Sequence, residues 1–138
     1  MKAGALAALA LTLHLSGVQA LACPANADLT VRDLLGRWRA EFAGPGARPA
    51  IDLLLEPNPE WRASFAGHFQ QAGRQVQVAG DLEDGVFTLE ESADGVRIDA
   101  TWTGQPVEGS CGREIRGSWR AAGDAANATF VLRRRSGW

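Results

Sequence analysis

The sequence predicts an all-β protein: a single eight-stranded antiparallel up-and-down β-barrel preceded by a short N-terminal helical turn. Turn-forming residues recur every eight to twelve positions, and the stretches between them alternate apolar and polar side chains. No linker, repeat or low-complexity tract divides residues 23–138. Closing the sheet removes the exposed edges that an open sheet presents, so a barrel is favoured over a sandwich.

Residues 1–22 have the features of a secretory signal peptide, which leaves 23–138 as one β-barrel domain. Lys2 precedes an apolar run from Ala3 to Leu15, and small residues follow at two candidate cleavage sites. The run is too short for a comfortable transmembrane helix. We therefore expect a periplasmic or secreted protein without a membrane span.

Two cysteines, Cys23 and Cys111, follow the signal peptide. In an oxidising compartment such a pair is expected to form a disulfide. The alternative is a lipoprotein anchored at Cys23, which directly follows the small residue Ala22. Bacterial lipoprotein signals prefer Leu three residues before the cysteine, where this chain has Ala20, so the disulfide is favoured.

The helical turn is predicted at Val31–Leu35, with Asp28 or Thr30 as its cap and Gly36 at its end. Eight strands of period two follow, and Asp84-Gly85 and Asp94-Gly95 are the strongest turn signals between them. Six of the predicted strands have a same-face apolar set, which in chain order is Gly36, Trp38, Ala40 and Phe42; Ile51, Leu53 and Leu55; Trp61, Ala63, Phe65 and Phe69; Val76 and Val78; Val96, Ile98, Ala100 and Trp102; and Cys111, Arg113, Ile115, Gly117 and Trp119. The fifth strand is the run Val86 to Leu89, in which Phe87 and Leu89 share a face, and the last is the run Ala128 to Leu132, in which Phe130 and Leu132 share a face.

Gly36-Arg37-Trp38, preceded by a helical turn, resembles the Gly-X-Trp motif of lipocalins and of related avidin-like small barrels. The resemblance implies that Trp38 lies at the closed end of the barrel. It also implies that an arginine of the last strand, Arg133 or Arg134, lies against the tryptophan in a cation–π contact. Arg134 is the better fit, because it shares a face of the last strand with Phe130 and Leu132.

Arg113 is the first candidate for binding a ligand. Its parity places it on the inner face, where a desolvated arginine needs a carboxylate or an anionic ligand. Glu91 has the parity to be its partner, although Glu90 is adjacent. The alternative is a bulge after Gly112 that turns Arg113 outward.

Aromatic residues supply the other candidate ligand contacts: Trp38, Phe65, Trp102 and Trp119. An eight-stranded barrel either fills its interior with side chains or leaves room for one small ligand. The same residues would also form an ordinary packed core. Trp138 ends the chain and belongs to neither set.

Composition and missing residue types argue against several other functions. A net charge of −2 and a pI near 5.6 are unlike a nucleic-acid binder. His68 is the only histidine after the signal peptide, so neither a zinc site nor a nucleophilic triad is indicated. We expect no enzyme activity and no cofactor.

The sequence therefore predicts an exported monomeric barrel that binds a small apolar, amphipathic or anionic ligand in its interior. The predicted ligand-binding residues are Trp38, Phe65, Trp102, Arg113 and Trp119, and the predicted structural ones are Cys23, Cys111 and Arg134. The alternative is an envelope protein-interaction module, an inhibitor or assembly factor, with a filled core and no ligand.

Overall fold

The computed structural model describes residues 22–137 and shows a closed barrel of eight antiparallel strands. Each strand pairs with the next along the chain, and β1 closes the barrel against β8. The predicted fold class is thus confirmed. Most of the predicted signal peptide, and Trp138, lie outside the described residues. The strands are β1 Gly36–Ala43, β2 Ile51–Pro57, β3 Ser64–Gln71, β4 Arg74–Glu83, β5 Val86–Ser92, β6 Ala100–Pro106, β7 Glu114–Ala121 and β8 Asn127–Arg134.

The β4–β5 hairpin has the tight turn that Asp84-Gly85 predicts, and the β3–β4 hairpin has a turn of the same kind. Asp84 and Gly85 join β4 to β5 with φ angles of 49° and 76°, and Ala72 and Gly73 join β3 to β4 with 50° and 76°. Positive φ at both central positions matches the natural twist of two paired strands. These turns fix the register of β3, β4 and β5.

The segment after Asp94-Gly95 is a loop, so the prediction that Val96 and Ile98 face the interior is wrong. Their exposed fractions are 89% and 48%, and β6 begins only at Ala100. The Asp94 carboxylate accepts hydrogen bonds from the backbone N–H groups of Val96, at 2.9 Å, and Arg97, at 2.8 Å. These bonds, with the Arg97 bond contributing most, lower the pKa of Asp94. A local turn thus replaces the strand ladder here.

The start of β3 departs from the prediction for the same reason. The Asn58 side chain accepts hydrogen bonds from the backbone N–H groups of Glu60 and Trp61, at 2.9 and 3.1 Å. This turn keeps Trp61 outside the ladder with 67% of its surface exposed. The expected inward position of Trp61 is therefore wrong, whereas Phe65 and Phe69 are buried as predicted.

A short 3₁₀ helix, Val31–Leu34, covers the end of the barrel at which β1 begins, which we call the closed end. The Asp33 carboxylate accepts the backbone N–H of Thr30 at 2.7 Å, which fixes the start of this turn. Leu34 is fully buried, and its carbonyl accepts the Trp38 indole N–H at 2.8 Å.

Arg134 lies against Trp38 as the resemblance implies. Its guanidinium carbon is 5.1 Å from the tryptophan ring centroid, and one of its nitrogens donates to the Asp33 carbonyl. The last strand and the N-terminal turn are thereby joined across the closed end.

Cys23 and Cys111 form the predicted disulfide, which connects residues 88 positions apart. The bond ties the N-terminal segment to the β6–β7 loop at the closed end. It also occupies the sulfur that lipidation at Cys23 would require. No helix among residues 22–137 has the length and apolar character needed to cross a membrane.

Candidate functional site

The barrel end opposite the closed one, which we call the mouth, contains a buried charge. Glu91, near the end of β5, is 4% exposed and is the one polar or charged residue buried in residues 22–137. Its strand position pairs with Ala100 at the start of β6, close to the β5–β6 loop. The rest of the buried set is apolar, so this carboxylate is the chemically distinctive group of the interior.

Two indole N–H groups and one guanidinium hold the Glu91 carboxylate. Oε1 accepts hydrogen bonds from Nε1 of Trp102 at 2.6 Å and Nε1 of Trp119 at 2.9 Å. Oε2 accepts one from the Arg48 guanidinium at 3.1 Å, and the second guanidinium nitrogen contacts Oε1. Trp102 and Trp119 are direct register partners on β6 and β7, which is why both indoles reach the same oxygen.

Arg48 reaches this position from the β1–β2 loop rather than from a strand. Its guanidinium carbon lies 4.7 Å from the ring centroid of Phe42, 4.8 Å from Trp119, 5.2 Å from Phe69 and 5.6 Å from Trp102. These distances are in the range of cation–π contacts. We name Phe42, Arg48, Phe69, Glu91, Trp102 and Trp119 the mouth site.

The ion pair in the mouth site is a costly arrangement for a folded protein. The side chains of Arg48 and Glu91 are 11% and 5% exposed, and Nε of Arg48 is buried without a hydrogen-bond partner in the described part of the chain. Taking both charges out of water cancels much of their attraction, and apolar replacements are often equally stable. The burial of this ion pair is therefore not by itself evidence that it stabilises the barrel.

The interior between Phe65 and the mouth is filled by a series of aromatic rings, each of which contacts the next. Phe65 stacks on Phe87 with centroids 5.7 Å apart, Phe87 is 6.3 Å from Phe130, and Phe130 is 4.9 Å from Trp102. Phe42 continues the series at 5.2 Å from Trp102. A ligand would have to displace side chains to reach this interior.

The structure brings together only part of the predicted ligand-binding set. Trp102 and Trp119 belong to the mouth site, whereas Phe65 lies outside it and is linked to Trp102 only through Phe87 and Phe130. Trp38 is buried at the closed end and takes no part in the mouth site.

Arg113 does not point into the barrel, so of the two interpretations of this residue the outward one is correct. Its side chain is exposed and precedes β7, which begins at Glu114. Cys111 and Gly112 have φ angles of 56° and 70°, and this left-handed pair breaks the alternation from which the inward direction was inferred. The partner of Glu91 is Arg48 instead.

Sequence reasoning missed Arg48, Phe42 as a cation contact and the two indole donors. Arg48 stands in the segment Gly44-Pro45-Gly46-Ala47-Arg48-Pro49, where no strand periodicity indicates a direction. The available signal was Glu91, whose inward parity required a cation from some part of the chain.

No group of three or more metal-ligating side chains occurs among residues 22–137. A scan against protein-family models found no match, and a search of curated proteins found no similar sequence.

Proposed function

We propose that this protein is an exported, non-enzymatic barrel that binds a small cationic amphiphile at the mouth site. In this mechanism the cationic group of the ligand takes the place of the Arg48 guanidinium, and its apolar part packs against the aromatic rings. The observation that carries the proposal is a buried carboxylate paired with a guanidinium from a loop, which itself lies against four aromatic rings.

The chemistry of the site supports a cation over an anion. Phe42, Phe69, Trp102 and Trp119 present π faces, and the Glu91 carboxylate supplies a full negative charge. The indole donors satisfy one carboxylate oxygen whether or not Arg48 is present. Departure of Arg48 thus leaves a site that remains partly hydrogen-bonded.

The position of Arg48 supports exchange. The β1–β2 loop is mostly exposed and contains two glycines and two prolines. One backbone bond, from Gly46 N–H to the Asn127 carbonyl at 2.8 Å, connects it to β8. The disulfide agrees with an oxidising compartment such as the periplasm or the cell exterior.

Titration of the wild-type protein and of Arg48→Ala with dodecyltrimethylammonium below its micelle concentration tests the proposal. Tryptophan emission reports binding because Trp102 and Trp119 line the site. We expect saturable binding to the wild type and binding at least tenfold tighter to Arg48→Ala, since the ligand then displaces no internal cation. Adding Glu91→Gln to Arg48→Ala should remove most of that gain.

Two controls separate the mouth site from general surface attraction. Arg39→Ala removes an exposed arginine paired with Asp52 at 3.2 Å and should leave the affinity unchanged. Laurate, which has an anionic end, should not gain affinity in Arg48→Ala. Equal binding of the cation by all variants, or no binding by any, contradicts the proposal.

A filled interior with exposed apolar loop residues favours a second candidate, a protein-interaction module. Val96 and Ile98 are exposed on the β5–β6 loop beside the mouth. On this hypothesis the mouth loops contact an envelope protein and Arg48 stays in place. Val96→Ser/Ile98→Ser would then abolish binding to the partner while Arg48→Ala leaves tryptophan emission insensitive to the added cation.

A further inference from the structure

An arginine-lined groove lies on the outside of the barrel at the closed end, far along the strands from the mouth site. The groove has a volume of about 290 Å³ and is bordered by four arginines, Arg37, Arg113, Arg134 and Arg135. Its other lining residues are Gly36, Ser136 and Gly137, so no carboxylate side chain borders it. We name this feature the arginine groove.

Backbone hydrogen bonds bring these arginines together from three parts of the chain. The Arg134 N–H donates to the Arg113 carbonyl at 2.9 Å, and the Arg135 N–H donates to the Arg37 carbonyl at 2.8 Å. The end of β8 is thus held between β1 and the β6–β7 loop. The disulfide at Cys111 anchors the same loop two residues before Arg113.

The positive charge of the groove is poorly neutralised by the described residues. Arg37 and Arg113 form no ion pair within residues 22–137. Arg135 contacts Asp52 at 3.6 Å, but that carboxylate is shared with Arg39.

Arg134 is the least solvated cation of the groove. It donates to the Asp33 carbonyl rather than to a carboxylate, and the Asp33 carboxylate is engaged by Thr30. Burial, and then the neighbouring charge of Arg113, lower the pKa of Arg134, and the Asp33 charge opposes them only in part. An anion in the groove would relieve this repulsion.

We propose that the arginine groove is a binding site for a phosphate group. Four arginines that border one small groove suit a tetrahedral dianion, because a guanidinium fork can give two parallel hydrogen bonds to phosphate oxygens. A single monovalent carboxylate would compensate fewer of the four charges. The phosphate belongs either to a free phosphate compound or to a lipid headgroup at an envelope surface, and this site does not depend on the mouth site.

The test uses arginine Nε–Hε NMR signals and two probes at constant ionic strength: inorganic phosphate, and vesicles of phosphatidylcholine with or without phosphatidic acid. We expect saturable shifts of the Arg113 and Arg37 signals with phosphate. Arg113→Gln and Arg37→Gln should each weaken phosphate binding at least tenfold. Both side chains are exposed, so both variants should fold, which circular dichroism checks.

Arg74→Gln is the matched control, because Arg74 is exposed in the β3–β4 hairpin at the mouth end. It should leave binding of both probes within twofold of the wild type. Binding that saturates with free phosphate identifies a soluble ligand, and binding that saturates only with phosphatidic acid vesicles identifies a headgroup. The proposal is overturned if neither probe binds, or if Arg74→Gln weakens binding as much as Arg113→Gln.

Discussion

At the residue scale, the Arg48–Glu91 pair shows how one buried charge organises its surroundings. Glu91 receives two indole hydrogen bonds and the guanidinium, and the same guanidinium touches four rings. The sequence indicated an inward Glu91 through strand parity. It could not indicate Arg48, because a loop residue has no periodic direction and its partner is chosen by tertiary packing.

Single replacements of the pair should be more harmful than replacing both residues. Glu91→Leu leaves Arg48 without its counter-charge and should lower the unfolding free energy by about 3 kcal/mol. Arg48→Met/Glu91→Leu leaves no unpaired charge, although the indole N–H groups of Trp102 and Trp119 lose their acceptor, so it should be destabilised by less than Glu91→Leu alone. Urea denaturation of both single variants and the double variant measures the coupling.

The exposed Arg39–Asp52 pair provides a comparison for the Arg48 and Glu91 variants. Its side chains are 40% and 69% exposed, so breaking it should cost less than about 1 kcal/mol. If the losses of unfolding free energy in the two single variants add up to the loss in the double variant, Arg48 and Glu91 are not energetically coupled.

At the scale of elements, side-chain alternation was a reliable guide wherever backbone hydrogen bonds formed an uninterrupted ladder. It placed Phe65, Phe87 and Phe130 inside correctly. It failed beside turns that use side-chain acceptors, as at Asp94, and beside the left-handed pair before Arg113. The residues of such turns face neither side of the sheet. Counting alternate positions across a turn therefore assigns the wrong face to the residues that follow it.

Close packing of the neighbouring strand and of the Phe65 ring leaves no room for a side chain at Gly80 of β4. A Cβ on Gly80 of β4 would lie 2.9 Å from the Phe65 ring and would also meet the Thr88 carbonyl. Gly80→Ala should therefore destabilise the barrel by about 1–3 kcal/mol through overpacking. Thermal unfolding followed by circular dichroism measures the loss.

Gly73→Asn separates crowding from the simple loss of a glycine. Its Cβ would meet no atom within 4 Å, and asparagine tolerates the φ of +76° at this position better than most residues. It should change stability much less than Gly80→Ala. Equal losses would show that chain flexibility, rather than space, determines the effect at Gly80.

At the scale of the whole molecule, the two ends of the barrel differ in how they are stabilised. The closed end combines a 3₁₀ helix, the Arg134–Trp38 contact and the disulfide. The mouth depends on the loop that carries Arg48. The fold class, the disulfide and the closed end were predictable from Cys23, Cys111, Trp38 and strand periodicity, whereas the mouth site was not.

Removing the disulfide should weaken the whole fold without altering the mouth site. In the chain-entropy model, a loop closed over 88 positions contributes about 4.5 kcal/mol. Cys23→Ser/Cys111→Ser should lose about that free energy of unfolding in urea. Its affinity for dodecyltrimethylammonium should match the wild type under conditions in which both are folded. Unchanged stability, or a weakened mouth site, would contradict this division between the two ends.

The pairing of β1 with β8 has a consequence for how the chain folds. Seven of the strand pairings join neighbours along the chain and can form as local hairpins, but the eighth, between Trp38 and Arg134 among others, must bring the first and last strands together. Pairing two strands so far apart in sequence lowers the chain entropy before the contacts that offset this loss have formed. Until closure, two strand edges stay open to other chains, and Arg133, Arg134 and Arg135 place like charges on the later edge, where they oppose intermolecular pairing.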